Sequence, residues 1–264
     1  MRPNALIAPA CLLAALAAPA AAGDVAALAA ADPFRTGILD HRVAEILGDP
    51  DRVAFDPRVV VIAPESAEDS LHVPALIDAT AIPDVTRIVA FVDYGPIPKI
   101  LDFHRGTAQA KLAFRFKIDQ ATPLRAAVQT ADGAWHVGGT AIDAAGGGCS
   151  APAAAYAADD WEERLGEVQA RIWPEAGRVG VIVDHPMDTG LSGGVPVFII
   201  ERLALTDEEG TELARLILHE PVEEDPHFTF FAAPARLGGP LRLTGRDNNG
   251  NEIDAVIPAG GVTQ

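Results

Sequence analysis

Cys149 is the side chain whose setting most suggests chemistry. It closes the run Gly146-Gly147-Gly148 and is followed by Ser150-Ala151-Pro152. Of the two cysteines in the chain, the other, Cys11, falls in a leader: residues 1–22 carry Arg2, an Ala/Leu-rich core from Leu6 to Ala18, and Ala20-Ala21-Ala22 before Gly23, the layout of a secretory signal. Export would leave Cys149 with no partner for an internal disulfide. Gly146, Gly147 and Gly148 free the backbone, and a Gly/Ser/Ala/Pro flank lacks the apolar neighbours that bury a sulfur. The expectation is an exposed thiol on a flexible arm, in preference to the small buried hydrophobe that free cysteine commonly is.

An ordinary thiol has a pKa of about 8.5, so only a few per cent is thiolate near neutrality, and a catalytic cysteine is usually helped by a nearby cation. The nearest charges along the chain are Asp143 and Asp159, which oppose ionisation. The thiol therefore reads as an attachment point activated by a partner and not as the centre of an enzyme. A peroxide-reducing thiol enzyme is disfavoured by the missing resolving cysteine.

Other polar groups read as structural. His185-Pro186-Met187-Asp188-Thr189-Gly190 has turn chemistry, Asp247-Asn248-Asn249-Gly250 is a hairpin signal without calcium-loop spacing, and Glu223-Glu224-Asp225 reads as a solvated loop. The long gap between Cys149 and His185 does not suit a blue-copper site, so no metal is expected.

The elements around Cys149 follow from periodicity. Val25 to Ala31 reads as linker, and Thr36 to Leu47 has helical spacing with Gly48 as its stop. Short β-favouring runs then recur: Val59–Ile62, Leu71–Ile77, Val85–Val92, Ile100–Phe103, Leu112–Ile118, Leu124–Gln129 and Trp135–Val137. In the fifth run, Leu112, Phe114, Phe116 and Ile118 alternate with Lys111, Ala113, Arg115 and Lys117, which puts one face in a core and the other in water. Beyond Cys149, Asp159 or Asp160 caps a short helix in which Trp161, Leu165 and Val168 share a face. A second β region holds Arg178–Val183, Val197–Leu205, Thr211–Leu218, Phe228–Phe231, Leu241–Thr244 and Ile253–Ile257.

The expected fold class is all-β: two immunoglobulin-like β-sandwich domains with a short N-terminal helix and a linker that contains a short helix. The expected boundaries are a signal peptide over 1–22, a first sandwich over 32–145, the Gly-Cys arm and linker helix over 146–170, and a second sandwich over 171–264. A net charge of −17 argues against nucleic acid and anionic lipid as partners. After the leader, no segment has the apolar length of a membrane span.

A series of short motifs resembles the SoxYZ sulfur carrier family. Ala63-Pro64-Glu65, Glu68-Asp69-Ser70-Leu71-His72-Val73-Pro74, Ile82-Pro83-Asp84-Val85, Phe91-Val92-Asp93, Pro123-Leu124-Arg125 and Ala131-Asp132-Gly133 follow the order of the SoxY subunit up to a Gly-Gly-Cys. The His185 to Gly190 motif and the Asp247 to Gly250 hairpin resemble the SoxZ subunit. The single-chain arrangement is similar to the fused forms associated with quinoprotein dehydrogenases.

The resemblance implies a periplasmic, non-enzymatic carrier without cofactor. Cys149 would hold intermediates of thiosulfate and sulfur oxidation, with Gly146, Gly147 and Gly148 giving the arm its flexibility. Implied partners are periplasmic Sox-type enzymes, c-type cytochromes or a quinoprotein dehydrogenase. The implied state is a monomer with intramolecular domain pairing, with Cys149 also able to join two molecules. The alternative reading is a binding or electron-transfer partner of a periplasmic quinoprotein dehydrogenase whose Cys149 is not loaded. The departure from the family is that a whole domain follows Cys149, so the arm is tied at both ends.

Overall fold

Alternating apolar and polar residues drive much of the chain into strands whose inner faces share one core. A computed structural model describes residues 24–157, 159–260 and 262–263; the leader and Cys11 lie outside the described residues. The N-terminal half supplies β1 (Val53–Phe55), β2 (Val60–Ile62), β3 (Ser66–Ala67), β4 (Val73–Asp78), β5 (Val85–Val92), β6 (Lys99–Arg105), β7 (Lys111–Phe116), β8 (Thr122–Thr130) and β9 (Trp135–Ala144). The C-terminal half supplies β10 (Val168–Trp173), β11 (Arg178–Val183), β12 (Ile200–Asp207), β13 (Glu212–Leu218), β14 (His227–Phe231), β15 (Leu241–Asp247), β16 (Glu252–Ile257) and β17 (Val262–Thr263).

These strands form two sheets, and both run through the two halves. One has the order β1-β9-β8-β5-β6-β13-β12-β15-β16, with β3 beside β9, and the other has the order β17-β10-β11-β14-β7-β4-β2. The all-β sandwich expected from the sequence is present, but the two sandwiches are not closed separately. They join edge to edge where β6 pairs with β13, from Leu101↔Leu218 to Arg105↔Ala214, and where β7 pairs with β14, from Phe114↔Phe228 to Leu112↔Phe230. Each pairing removes two strand edges that would otherwise be open to foreign strands. One buried apolar cluster runs from Val59 in the first half to Ile257 in β16.

Helices cover part of the outer face of the larger sheet. The segment expected to be linker is helix α1 (Val25–Ala30), started by Asp24, whose carboxylate accepts from Ala27 N at 2.8 Å. Helix α2 (Leu39–Leu47) ends at Gly48, where φ of 79° needs glycine. With Leu28, Leu39 and Val43 packed on Val89, Phe91, Ala127 and Val137, β5 and β8 are buried on both faces. Arg125, fully buried in β8, clamps Asp93 through two hydrogen bonds of 3.0 and 2.6 Å and pairs with Asp32 at 2.9 Å, which fixes the entry of the chain onto the sheet.

The expected short helix after Cys149 is present as α3 (Trp161–Arg164) with Asp160 at its N-cap, but it stops before Leu165, and Val168 belongs to β10, inside the stretch expected to be linker. The β10 to β11 hairpin explains this, because Val168↔Val183 through Trp173↔Arg178 pair continuously. Cross-strand pairing overrides the local helical spacing.

If the two shared sheets hold the halves together, halves produced separately with a break after Ala157 should each expose two open strand edges. Each should aggregate or remain incompletely folded alone and recover a sharp melting transition on mixing. Two halves that are monomeric, stable and indifferent to each other on size exclusion would contradict the arrangement.

Candidate functional site around Cys149

The segment carrying Cys149 leaves β9 at Ala144, next to the short parallel pairing Ser66↔Asp143 and Ala67↔Ala144. It then turns back along the end of β7. Gly147 N donates to Asp119 O at 3.2 Å and Gly148 N donates to Ile118 O at 3.1 Å. The thiol points at Lys117 O, 3.8 Å away. A Cβ on Gly146 would stand 2.2 Å from Asp119 O, and one on Gly148 would stand 2.1 Å from Ser70 O. These two glycines therefore permit close docking of the arm on the sheet, which is a different role from the flexibility expected of them. Gly146 and Gly147, with φ of 95° and 86°, both sit where the turn itself requires glycine, and Gly147 has open space around it.

Cys149 is buried, with 3% of its surface exposed, so the expectation of an exposed thiol is corrected. The cover comes from distant elements. Thr189 Oγ1 donates to Cys149 O at 2.5 Å, and Asp188 receives Ala153 N at 3.1 Å and the Tyr156 hydroxyl. Tyr156 in turn meets Trp161 edge to face, with ring centroids 4.9 Å apart. The His185 to Gly190 segment, which reads as a plain turn in sequence, follows β11 and caps the arm.

The wet face expected for β7 also changes at its end. Lys117 is buried, with 4% exposed, and its ammonium donates to Met187 O at 2.5 Å. Burial pulls its pKa down, opposed by the charges of Asp188, Glu224 and Glu223. Glu223, expected in solvent, is fully buried and accepts from His227 N and His227 Nδ1 at 3.1 and 2.7 Å. Thus a cation does stand near the thiol, and only the fold brings it there.

Burial pushes the Cys149 thiol up to about 11, with Asp119 adding to the rise and Lys117 opposing it. In this closed position the sulfur is protonated and inert. His185 Nδ1 accepts from Met187 N at 3.0 Å and Met187 Sδ accepts from Ile200 N at 3.2 Å. Among the described residues no group of three or more His, Cys, Asp or Glu side chains is placed to hold a metal. The Asp247 hairpin forms as expected between β15 and β16, with Asp247 Oδ1 accepting from Asn249 N and Asn251 N at 2.9 and 2.8 Å.

Two measurements probe this geometry. Folded Cys149 should react with iodoacetamide near neutral pH on the order of 100-fold more slowly than the urea-unfolded chain, since a rise of some two pKa units removes that much thiolate. Thr189→Val, which deletes the bond to Cys149 O at a cost of about 1 kcal/mol, should speed the folded reaction about five-fold. Equal rates in folded and unfolded chain would contradict the closed arm.

His185 gives a pH signature. Burial pulls its pKa down to about 4, against the opposing pull of Asp247, whose Oδ2 lies 3.5 Å from Nε2. Between pH ~6.5 and ~4 the unfolded chain binds a proton that the folded chain does not, so stability falls as pH falls through that window, by on the order of 2–3 kcal/mol. His185→Asn, which keeps an acceptor for Met187 N, should flatten that part of the melting-temperature profile; an unchanged profile would rule out His185 as its source.

Residues 43–149 match the profile of the family described as sulfur oxidation protein SoxY. No curated protein matches the chain. Among solved structures, the sulfur carrier protein SoxY from Chlorobium limicola f thiosulfatophilum aligns at 22% identity over 41% of this chain and 96% of that chain, with a TM-score of 0.36. The family match ends on Cys149 itself, and over residues 43–149 the chain is SoxY-like.

Proposed function

We propose that this protein is a carrier for sulfur-compound oxidation, with Cys149 as the point of covalent attachment. The observation that carries the reading is that the SoxY match closes on Cys149, the free cysteine of the described residues. The protein is exported to the periplasm after removal of residues 1–22 and acts without chemistry of its own. Sox-type enzymes load and unload the arm. Joining the thiol to a thiosulfate-type sulfur as a disulfide-like bond releases one proton and two electrons, and a c-type cytochrome partner takes the electrons.

The closed arm fits this role if a partner opens it. Releasing the bonds at Gly147 N, Gly148 N and Cys149 O costs a few kcal/mol, at about 1 kcal/mol for each hydrogen bond. An arm out of the site less than about one part in a hundred of the time is protected from stray oxidants and still available to a bound partner.

The burial of Cys149 also favours a second reading, in which the protein is an unloaded binding or electron-transfer partner of a periplasmic quinoprotein dehydrogenase. Intact-mass measurement of protein taken from its native compartment separates the two. The carrier reading expects an adduct at Cys149 that dithiothreitol removes, and Cys149→Ser should abolish both the adduct and sulfur-compound oxidation. A serine variant that sustains full oxidation would move the second reading ahead.

A further inference from the structure

The smaller sheet has an outer face that, among the described residues, is open in the C-terminal half, and its charge is opposite to that of the molecule. The chain has 37 acidic and 20 basic Asp, Glu, Lys and Arg residues. Alternation places Arg171 of β10, Arg178 of β11, and Lys111 and Arg115 of β7 on this outer face, against one carboxylate of its strands, Asp78, already paired with Lys111 at 2.8 Å. Arg115, Arg171 and Arg178 are exposed, and none forms an ion pair with a carboxylate among the described residues. On the larger sheet Arg242 pairs with Asp254 and Arg215 with Glu212, while Arg202 and Arg246 are exposed and form no ion pair among the described residues.

The face is also built and not merely left over. Trp173 lies flat across Gly180, where a Cβ would stand 3.0 Å from the indole. Arg171 and Arg178 pack on that ring at 5.1 and 4.5 Å from its centroid. A tryptophan with two arginines that lack carboxylates is the composition of an interface anchor. In a molecule of charge −17, solubility does not explain it.

β7 joins this face to the site. Six residue steps from Lys111 to Lys117 cover about 20 Å, at about 3.3 Å each, and end where the Lys117 carbonyl meets the Cys149 thiol. We propose that the outer face of the smaller sheet docks an acidic protein surface, with Trp173, Arg171 and Arg178 as its anchor, and that the docked partner receives Cys149 at the end of the same sheet. The inference rests on the carrier reading for its purpose but not for its test.

The test titrates the isotope-labelled full chain with poly-L-glutamate at low salt and follows amide shifts by NMR. Shifts concentrated on β7, β10, β11 and β14, lost at about 1 M salt, support the proposal. The charge reversal Arg171→Glu with Arg178→Glu should weaken binding at least ten-fold and leave the iodoacetamide rate of Cys149 unchanged, which shows that the fold and arm are intact. Shifts spread over all basic residues, no binding, or flotation with phosphatidylglycerol vesicles without a response to poly-L-glutamate would overturn it. A failure here leaves the adduct measurement on Cys149 standing, so the two readings fail separately.

Discussion

The pairing of β7 with β14 and of β6 with β13 is the constraint on which the rest of the structure depends. It makes two half-sandwiches one body, and it sets the end of β7 beside the segment that follows β11. Without it, Lys117 and the Met187 to Thr189 segment would belong to unrelated surfaces. The hydrogen bond from Lys117 to Met187 O and that from Thr189 to Cys149 O both cross from one half to the other. A heterodimer would have to assemble before such a site existed. A single chain holds the two parts at a high effective concentration.

The burial of an ammonium and a thiol in the same place also has a chemical consequence. Each is penalised in its charged form by desolvation, and each charge relieves the other. A protonated thiol leaves Lys117 to be balanced by the carboxylates around it. A negative group on the sulfur would gain from the same ammonium. The site thus disfavours a free thiolate on its own and is better suited to a thiol or to an anionic adduct screened by Lys117.

The sequence was most legible where the rule is local. The β5 and β11 bounds fall where β propensity and flanking breakers put them, α2 ends on the expected glycine, and the Asn249-Gly250 hairpin forms. The site was legible only in part. Cys149 and its glycines stand out in any reading of the chain, but the burial of the thiol depends on Thr189, Lys117 and Asp188, which are 40, 32 and 39 residues away in sequence. Lys117 looked like the next member of a wet alternating face, and nothing in its neighbours signals that a loop from the other half closes over it. The glycines were ambiguous for a related reason: one residue type serves both loose tethers and tight contacts, and the carbonyls of Ser70 and Asp119 decide between them.

Anchors on both sides limit what an open arm can do. Ala144 is held by β3 on one side, and Ala153 is held by Asp188 on the other. Cys149 is five residue steps from the first anchor and four from the second. At no more than about 3.6 Å per step, the shorter branch holds the Cys149 Cα to within about 14 Å of Ala153. A free-ended arm could enter a deep channel, but a loop presents two backbone strands side by side and needs a wider, shallower opening. On the carrier reading proposed above, a partner comes to this chain and lies against it. A face that ends at the Cys149 site and opposes the charge of the rest of the molecule supplies the orientation that so short a loop cannot supply for itself.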